Sequence, residues 1–238
     1  MTLDWIGAWN AVTHHPLFGA GITLGAYQIA VAAYEKTRWV FLQPVLVSML
    51  LLIAVLLLCG LSYYDYKASA DALTIFLGPA TVALAIPLYL NLRRIRQLFW
   101  PTVLTLLVGG TVATVLGIGL AWLFGAEKIM LMSMAPKSVT SPIAMLVAHQ
   151  IGGTAALAAV FVMLTGVAGA ILGPTLLKLC RVKHQAAMGL ALGITAHAVG
   201  TSRAMQESEE CGAFAALAMS LMGMLTAVLL PLAVAFWS

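Results

Sequence analysis

Residues 154–178 read TAALAAVFVMLTGVAGAILGPTLLK, with no Asp, Glu, Lys or Arg before Lys178. This stretch exceeds the roughly 20 apolar residues that a helix needs to cross a bilayer. Runs free of these four residue types also cover residues 39–64, 97–126, 138–177 and 211–238. Lipid offers backbone groups no hydrogen-bond partner, so only helices and closed barrels span it, and no alternating polar pattern supports a barrel. The sequence therefore predicts an all-α, polytopic membrane protein.

The composition of the whole chain agrees with this class. Of its 238 residues, 62% are hydrophobic and 8% are charged, whereas a soluble domain is about a quarter charged. The cysteines are scattered without metal-ligand spacing, and residues 1–10 lack the basic start of a signal peptide. The net charge of +4 resides in short loops, which argues against nucleic-acid binding. No enzyme or metal motif is present, so we expect neither catalysis nor a cofactor.

The chain is predicted to form one transmembrane domain over residues 1–238. About eight hydrophobic segments lie at residues 15–34, 39–62, 72–90, 98–124, 129–149, 154–178, 186–205 and 211–237. The third and seventh carry related polar breaks: residues 78–89 read GPATVALAIPLY and residues 193–204 read GITAHAVGTSRA. Because these breaks lie about half a chain apart, we predict two repeats, at about 15–124 and about 129–237.

The charged loops indicate that the two repeats are inverted. Basic residues at 93–96 and 178–184 are expected on the cytoplasmic face. The acidic residues at 207–210 take the matching place in the second repeat, so we expect them on the opposite face. Three full crossings between the two basic loops would separate them, so one segment must fail to cross. Segment 129–149 is predicted to be re-entrant, with 15–34 as its counterpart.

Glycine and proline residues inside several segments predict interrupted helices. The predicted helix breaks are Gly78, Pro79, Pro87, Pro136, Gly193 and Gly200. Interrupted helices can aim the positive ends of half-helix dipoles at an anionic substrate. The alternative is close helix packing, because small residues four apart, such as Gly189 and Gly193, are also a common contact motif.

Candidate substrate-binding residues lie in two of the broken segments. Lys137 has no acid nearby in the sequence, and Ser138 and Thr140 add hydroxyls beside it. An ammonium within the bilayer is unfavourable unless water or an anion meets it, although the alternative is a lysine that snorkels to the interface. His197 and Thr201 are four residues apart and share a helix face. A single histidine on an apolar helix is, alternatively, a packing residue.

Two further residues complete the candidate set. Arg203 lies near the end of segment 186–205, where the alternative is an ion pair with Glu207. Thr81 is the matching hydroxyl of the first repeat. All acidic residues lie at loop or segment boundaries, whereas a cation pathway normally needs an intramembrane Asp or Glu. The set therefore favours a small organic anion as substrate.

Four motifs resemble the LrgB/CidB family, and the resemblance covers nearly the whole chain. They are LGPATVALAIPLY at 77–89, APKSVTSPIA at 135–144, GITAHAVGTSRA at 193–204 and GAFAALAM at 212–219. The resemblance implies a multi-pass protein of the bacterial inner (plasma) membrane, often encoded beside a small holin-like LrgA/CidA partner. Family members have been labelled antiholin-like regulators of murein hydrolases. A plastid relative exchanges glycolate and glycerate, and bacterial relatives are associated with pyruvate uptake.

Two functions follow from the resemblance. The first is a secondary transporter of small monocarboxylates, of the glycolate, glycerate, pyruvate or lactate class, and the motifs contain the candidate residues named above. The alternative is an antiholin-like regulator of murein hydrolase export or of a holin-type pore, acting with an LrgA/CidA-like partner. A second copy of the chain is another candidate partner. The chain departs from the family at Gln43 and Gln206, where we expect Asn and Glu; the second departure puts proton coupling in question.

Overall fold

A computed structural model describes residues 5–13, 15, 17–37, 39, 42–76, 79, 82–83 and 85–237. The chain divides into two compact units, Met1–Ala83 and Leu84–Ser238. Every regular element among the described residues is helical, which confirms the all-α prediction.

The first unit is built around helix α2. Its helices are α1 (Trp5–Thr13), α2 (Phe18–Thr37), α3 (Pro44–Cys59) and α4 (Tyr63–Ala70), followed by a 3-10 helix, Asp71–Phe76. α2 packs against α3 and α4, and the Gly19 N–H donates to Ser69 Oγ at 3.0 Å. Gln43 precedes α3 and its Oε1 accepts from the Leu46 N–H at 2.7 Å. The departure from Asn at this position therefore still provides a side-chain cap for the helix.

The second unit contains the long apolar helices. Its elements are α5 (Ala85–Leu90), α6 (Leu92–Gln97), α7 (Phe99–Leu123), α8 (Lys128–Met134), α9 (Ser141–Gln150), α10 (Ala155–Leu179), α11 (Gln185–Glu207) and α12 (Glu209–Trp237). Among the described residues, three helices are long and apolar enough to cross a membrane: α7, α10 and Glu209–Phe236 of α12. These helices agree with the predicted polytopic membrane protein.

Helices α8 and α9 form a helical hairpin, which we name the first hairpin, with its tip at residues 135–140. The N–H of Thr154, which follows α9, donates to Ser133 Oγ near the end of α8 at 2.8 Å. In one straight helix these two residues would be about 32 Å apart. The chain that leaves α8 therefore returns to it. The predicted interruption of segment 129–149 is confirmed, and Pro136 lies in the tip.

Helix α11 is a second hairpin, with its tip at His197. The backbone of His197 has φ 42° and ψ −128°, which is not a helical conformation. Ser208 Oγ donates to Gln185 Oε1 at 3.0 Å, whereas a straight helix would separate these two residues by about 35 Å. Each arm of the hairpin is about 15 to 18 Å long, roughly half of the hydrocarbon thickness of a bilayer.

The position of this break differs from the predicted ones. Gly193 lies in the first arm, where a Cβ would be 2.8 Å from a side-chain atom of α12. Gly200 lies in the second arm, where a Cβ would be 2.7 Å from the Cβ of Ala196 in the first. Both glycines therefore permit close packing, as the alternative interpretation proposed. Pro87 lies in the first turn of α5, where a backbone N–H would have no acceptor within the helix. It therefore lies at the start of a helix and does not interrupt one. Pro79 is exposed.

The predicted position of the acidic loop is wrong. Arg94 Nη2 and His184 Nε2 are 2.9 Å apart, so the two basic loops lie at one end of the unit, as expected. Arg94 Nε donates to Glu210 Oε1 at 3.2 Å, and Asn91 Nδ2 donates to Glu209 Oε1 at 3.4 Å. The acidic residues share this end because α11 turns back at its tip instead of crossing.

The two hairpins join opposite ends of α10. The first hairpin precedes the N-terminus of α10, and the second follows its C-terminus. The described residues among 72–83 belong to the first unit and α11 to the second. The repeats at 15–124 and 129–237, and the approach of segments 72–90 and 186–205, therefore stay predictions. Gly78 and Thr81 lie outside the described residues.

Candidate functional site

Lys137 lies in the tip of the first hairpin and points into the protein. Its Nζ donates to the Ala113 carbonyl oxygen of α7 at 3.1 Å. A Cβ on Gly117, one turn further along α7, would lie 2.8 Å from Lys137 Cε. Because both contacts are near the middle of α7, the ammonium does not lie at a helix end, where a snorkelling lysine would be found.

Two hydroxyl groups lie beside this ammonium in the chain. Ser138 is buried and Thr140 is partly buried. Within the part of the chain that the structure describes, neither hydroxyl makes a hydrogen bond to another residue. Thr140 also precedes α9, whose first N–H groups give this tip the positive end of a helix dipole. The two hydroxyls of the first tip are therefore donors without an acceptor among the described residues.

His197 forms the tip of the second hairpin and is 3% exposed. Its Nε2 lies 3.0 Å from the Val162 carbonyl oxygen of α10. A Cβ on Gly166, one turn along α10, would lie 2.7 Å from His197 Cε1 and 2.8 Å from Nε2. The ring thus lies directly against the backbone of α10 near the middle of that helix.

Thr201 stabilises the second tip instead of presenting its hydroxyl to a ligand. Its Oγ1 donates to the His197 carbonyl oxygen at 2.9 Å and lies 3.8 Å from Met219 Sδ of α12. The predicted shared face of His197 and Thr201 does not persist, because the helix is broken at His197.

Val162 connects the two tips. Val139, between the two hydroxyl residues of the first tip, packs in one buried cluster with Val162. The Val162 carbonyl holds the His197 ring. Both hairpins therefore reach the same part of α10, whereas Lys137 Nζ contacts α7. A single binding site formed by Lys137, Ser138, Thr140, His197 and Thr201 stays a prediction.

Arg203 is engaged elsewhere. Its Nη2 lies 2.5 Å from Glu207 Oε1 and its Nη1 lies 3.3 Å from Gln206 Oε1. It is also about 9 Å along the second arm from His197, towards the base of the hairpin. This is the ion pair that was the alternative for Arg203, and its role in substrate binding stays a prediction.

Sequence reasoning missed the groups that hold the two functional side chains. They are the carbonyl oxygens of Ala113 and Val162 and the glycines Gly117 and Gly166. Carbonyl oxygens leave no signal in a sequence, because every residue has one. The glycines did leave a signal, since each stands near the middle of an uncharged run.

A separate cavity of about 200 Å³ lies between α7 and α12. Its lining is apolar apart from Thr111, Thr114 and Thr226, and it includes neither tip residue. Among the described residues, no cluster of three His, Cys, Asp or Glu side chains could hold a metal ion. The polar tips, and not this cavity, therefore carry the chemistry that suits an anion.

Comparison with known proteins identifies a family for this chain. A family model described as "LrgB-like family" matches residues 23–236. "Uncharacterized protein YxaC" of Bacillus subtilis (strain 168) is 36% identical over 213 residues, which cover 90% of this chain and 93% of the relative. "Antiholin-like protein LrgB" of Bacillus mycoides (strain KBAB4) and its namesake in Bacillus cereus (strain B4264) are each 32% identical over 227 residues, covering 95% of this chain and 99% of each relative. No solved structure matches the chain.

These matches cover almost the full length of the chain and of each relative. With the three helices that are long and apolar enough to cross a membrane, they identify a multi-pass protein of the bacterial inner membrane. The chain therefore belongs to the LrgB-like family.

Proposed function

We propose that this chain is a secondary transporter of small monocarboxylates, of the glycolate, glycerate, pyruvate or lactate class. The observation that carries the proposal is that two hairpin tips reach one part of α10. Val139 of the first tip shares a buried cluster with Val162, whose carbonyl oxygen lies 3.0 Å from His197 Nε2 of the second. The hairpins join opposite ends of α10, and each arm of the second is about half a membrane long. A site at their tips can be reached from either side when one hairpin moves, which is the requirement for alternating access.

The chemistry of the tips supports an anion. The Lys137 ammonium has a neutral carbonyl as partner, and a carboxylate is a stronger partner because the hydrogen bond is then charge-assisted at both ends. The hydroxyls of Ser138 and Thr140 are further donors for the carboxylate oxygens. The first turns of α9 and of the second arm of α11 add helix N-termini of the same sign.

The relatives named antiholin-like support a second candidate function. In it, the chain regulates murein hydrolase export or a holin-type pore through an LrgA/CidA-like partner. One face of α7 supports a helix partner in the membrane, because Leu104, Val108, Val112 and Val115 are exposed along it. This function requires a partner surface and does not require a lysine at the centre of the protein.

Uptake into proteoliposomes separates the two functions. The full chain is reconstituted, and uptake of labelled glycolate, glycerate, pyruvate and lactate is measured. Lys137→Met keeps the length of the side chain and removes the charge, so uptake should fall about 10- to 100-fold, the loss expected for a hydrogen bond to a charged group. Lys128→Ala, in the exposed first turn of the same hairpin, is the matched control and should transport like the wild type.

Three outcomes of this uptake assay distinguish the transport function from the regulatory function. Uptake by the wild type and Lys128→Ala, with loss in Lys137→Met at unchanged thermal stability, supports transport. Absence of uptake of all four anions by the wild type overturns it and favours the regulatory function. Equal uptake by the wild type and Lys137→Met would support a transporter but would contradict a binding role for Lys137.

A further inference from the structure

Helices α6 and α7 share one buried face, although Leu98 separates them. Ile95 and Leu98 pack against the same buried cluster that contains Leu106. The Leu98 carbonyl oxygen also accepts from the Thr102 N–H at 2.9 Å, as it would within one helix. The helical repeat therefore continues from α6 into α7 in nearly the same register, and residues seven apart lie on one side of both helices.

A stripe on one side of these helices joins two arginines to the cavity between α7 and α12. Seven-residue spacing places Arg93, Trp100, Leu107 and Thr114 on this stripe, and Arg96 joins it four residues before Trp100. We name these five residues the α7 stripe. Leu107 and Thr114 line the cavity. Trp100 is 69% exposed, and its ring suits the boundary between headgroups and hydrocarbon.

The cavity itself is a groove that is open along one side. Leu107, Thr111 and Leu229 on its walls are exposed, whereas Gly110 and Met222 are buried. A Cβ on Gly110 would lie 2.5 Å from Met222 Cε, so the small residue leaves room for the side chain that lines the groove. Most of the lining is aliphatic. Within a bilayer such a groove offers van der Waals contacts to an acyl chain.

The distance between the arginines and the groove matches one leaflet of a bilayer. Arg96 and Thr111 are 15 residues apart, which is about 22 Å along a helix. Half of a bilayer, with its headgroups, is about 20 to 22 Å thick. When the arginines lie at the level of the headgroups, the groove therefore lies at the depth of the ends of the acyl chains.

The two arginines of the stripe are available to an anion. Arg93 and Arg96 are exposed, and within the described part of the chain neither forms an ion pair. Arg94, on a different side of α6, is instead bound to Glu210. Guanidinium groups form charge-assisted and often bidentate hydrogen bonds with phosphate oxygens. The stripe thus combines a site for a phosphate with a groove for a hydrocarbon chain.

We infer that the α7 stripe binds an anionic phospholipid, with its phosphate at Arg93 and Arg96 and one acyl chain in the groove between α7 and α12. A zwitterionic headgroup is disfavoured, because its cation lies beside the phosphate and repels the two guanidinium groups. Each arginine near a membrane surface raises the affinity for anionic lipid about fivefold, so the pair should contribute about 25-fold. This lipid site goes beyond the proposed transport function and does not depend on it.

Retention of lipid by the purified full chain tests the headgroup site. The chain in detergent is mixed with equal amounts of phosphatidylglycerol and phosphatidylcholine that carry the same acyl chains, and bound lipid is measured by native mass spectrometry. The wild type should retain mainly phosphatidylglycerol. The double variant Arg93→Gln, Arg96→Gln should lose about 25-fold of this preference. The control Lys178→Gln, Lys183→Gln removes two exposed charges from the same end and should change it less than about twofold, because distant exposed charges are screened.

A fluorophore in the groove tests the position of the acyl chain. In a background without native cysteines, the full chain is labelled with bimane at Thr111→Cys and reconstituted in liposomes. Phosphatidylglycerol with brominated acyl chains should quench this label more strongly than matched phosphatidylcholine does. Val112→Cys is the control, because Val112 lies at the same depth, is exposed and does not line the groove. Quenching there should not depend on the headgroup.

Several results would overturn the lipid site. Equal retention of the two lipids by the wild type would do so, as would an unchanged preference in the double arginine variant. Equal quenching of the Thr111→Cys label by both lipids would show that the groove faces bulk lipid, and quenching by neither would show that protein covers it. Displacement of phosphatidylglycerol by excess glycerol 3-phosphate would assign the arginines to a soluble anion. None of these results depends on uptake of a carboxylate, so the transport function is tested separately.

Discussion

The backbone of His197 predicts an unusual reversal in the stabilities of two substitutions. His197→Ala and His197→Gly both delete the ring, its hydrogen bond to Val162 and its contact with Gly166. They differ only in whether a Cβ remains at φ 42°. The difference between their free energies of unfolding therefore measures the conformation of the backbone at the tip of the second hairpin.

The expected magnitude follows from two opposing contributions. A Cβ in a left-handed or otherwise sparsely populated conformation is unfavourable by about 1 to 3 kcal/mol. Glycine loses more freedom on folding, which disfavours it by about 0.4 to 1 kcal/mol. His197→Gly should thus be about 1 kcal/mol more stable than His197→Ala. In a continuous helix the order is reversed, and glycine is about 1 kcal/mol less stable than alanine.

Thermal unfolding of the purified chain in one detergent provides the assay. Thr195 supplies the matched control, since it is exposed and lies in the first arm of the same hairpin. Thr195→Gly should melt at a lower temperature than Thr195→Ala, while the His197 pair shows the opposite order. If both pairs show alanine as the more stable residue, α11 is continuous at His197 and the reasoning from the tip is refuted.

Two further predictions concern packing and the path of α11. Gly193→Ala should destabilise the protein by about 2 kcal/mol or more because the added Cβ meets the backbone of α12. The control Gly119→Ala, whose Cβ would have no atom within 4 Å, should be neutral or stabilising by up to about 1 kcal/mol. Equal melting temperatures of the two variants would contradict the packing of Gly193 against α12. In a background without native cysteines, a short bis-maleimide should join Gln185→Cys to Ser208→Cys within one chain, as detected by mass spectrometry, because the native side chains are 3.0 Å apart. Failure of this cross-link, with both cysteines labelled singly, would indicate a straight helix.

The membrane class and the broken segments could be predicted from the sequence because lipid restricts both composition and backbone geometry. Lys137 could be singled out for the same reason, since an ammonium in an uncharged run demands an explanation. The position of the second break could not be predicted. Glycine is common both at breaks and at close helix contacts, and here the break lies at His197, between two glycines that serve packing.

The error in the acidic loop has a related physical cause. The number of membrane crossings depends on whether an interrupted segment continues across the bilayer or turns back. That path depends on contacts with residues distant in sequence. Here α12 packs along the second hairpin, and Gly189 and Gly193 lie against its backbone. The bond between Gln185 and Ser208 then closes the base of the hairpin. No local pattern in residues 186–205 contains this information.

The length of the second hairpin has a consequence for the biogenesis of the protein. A segment released from the translocon as a unit must satisfy its own backbone groups while surrounded by lipid. Neither arm of α11 spans the bilayer, and the turn at His197 leaves backbone groups outside any helical ladder. These groups need the walls that α10 and α12 provide. We therefore expect the second hairpin to enter the membrane after α12 has been synthesised and inserted, as a late step of folding within the bilayer.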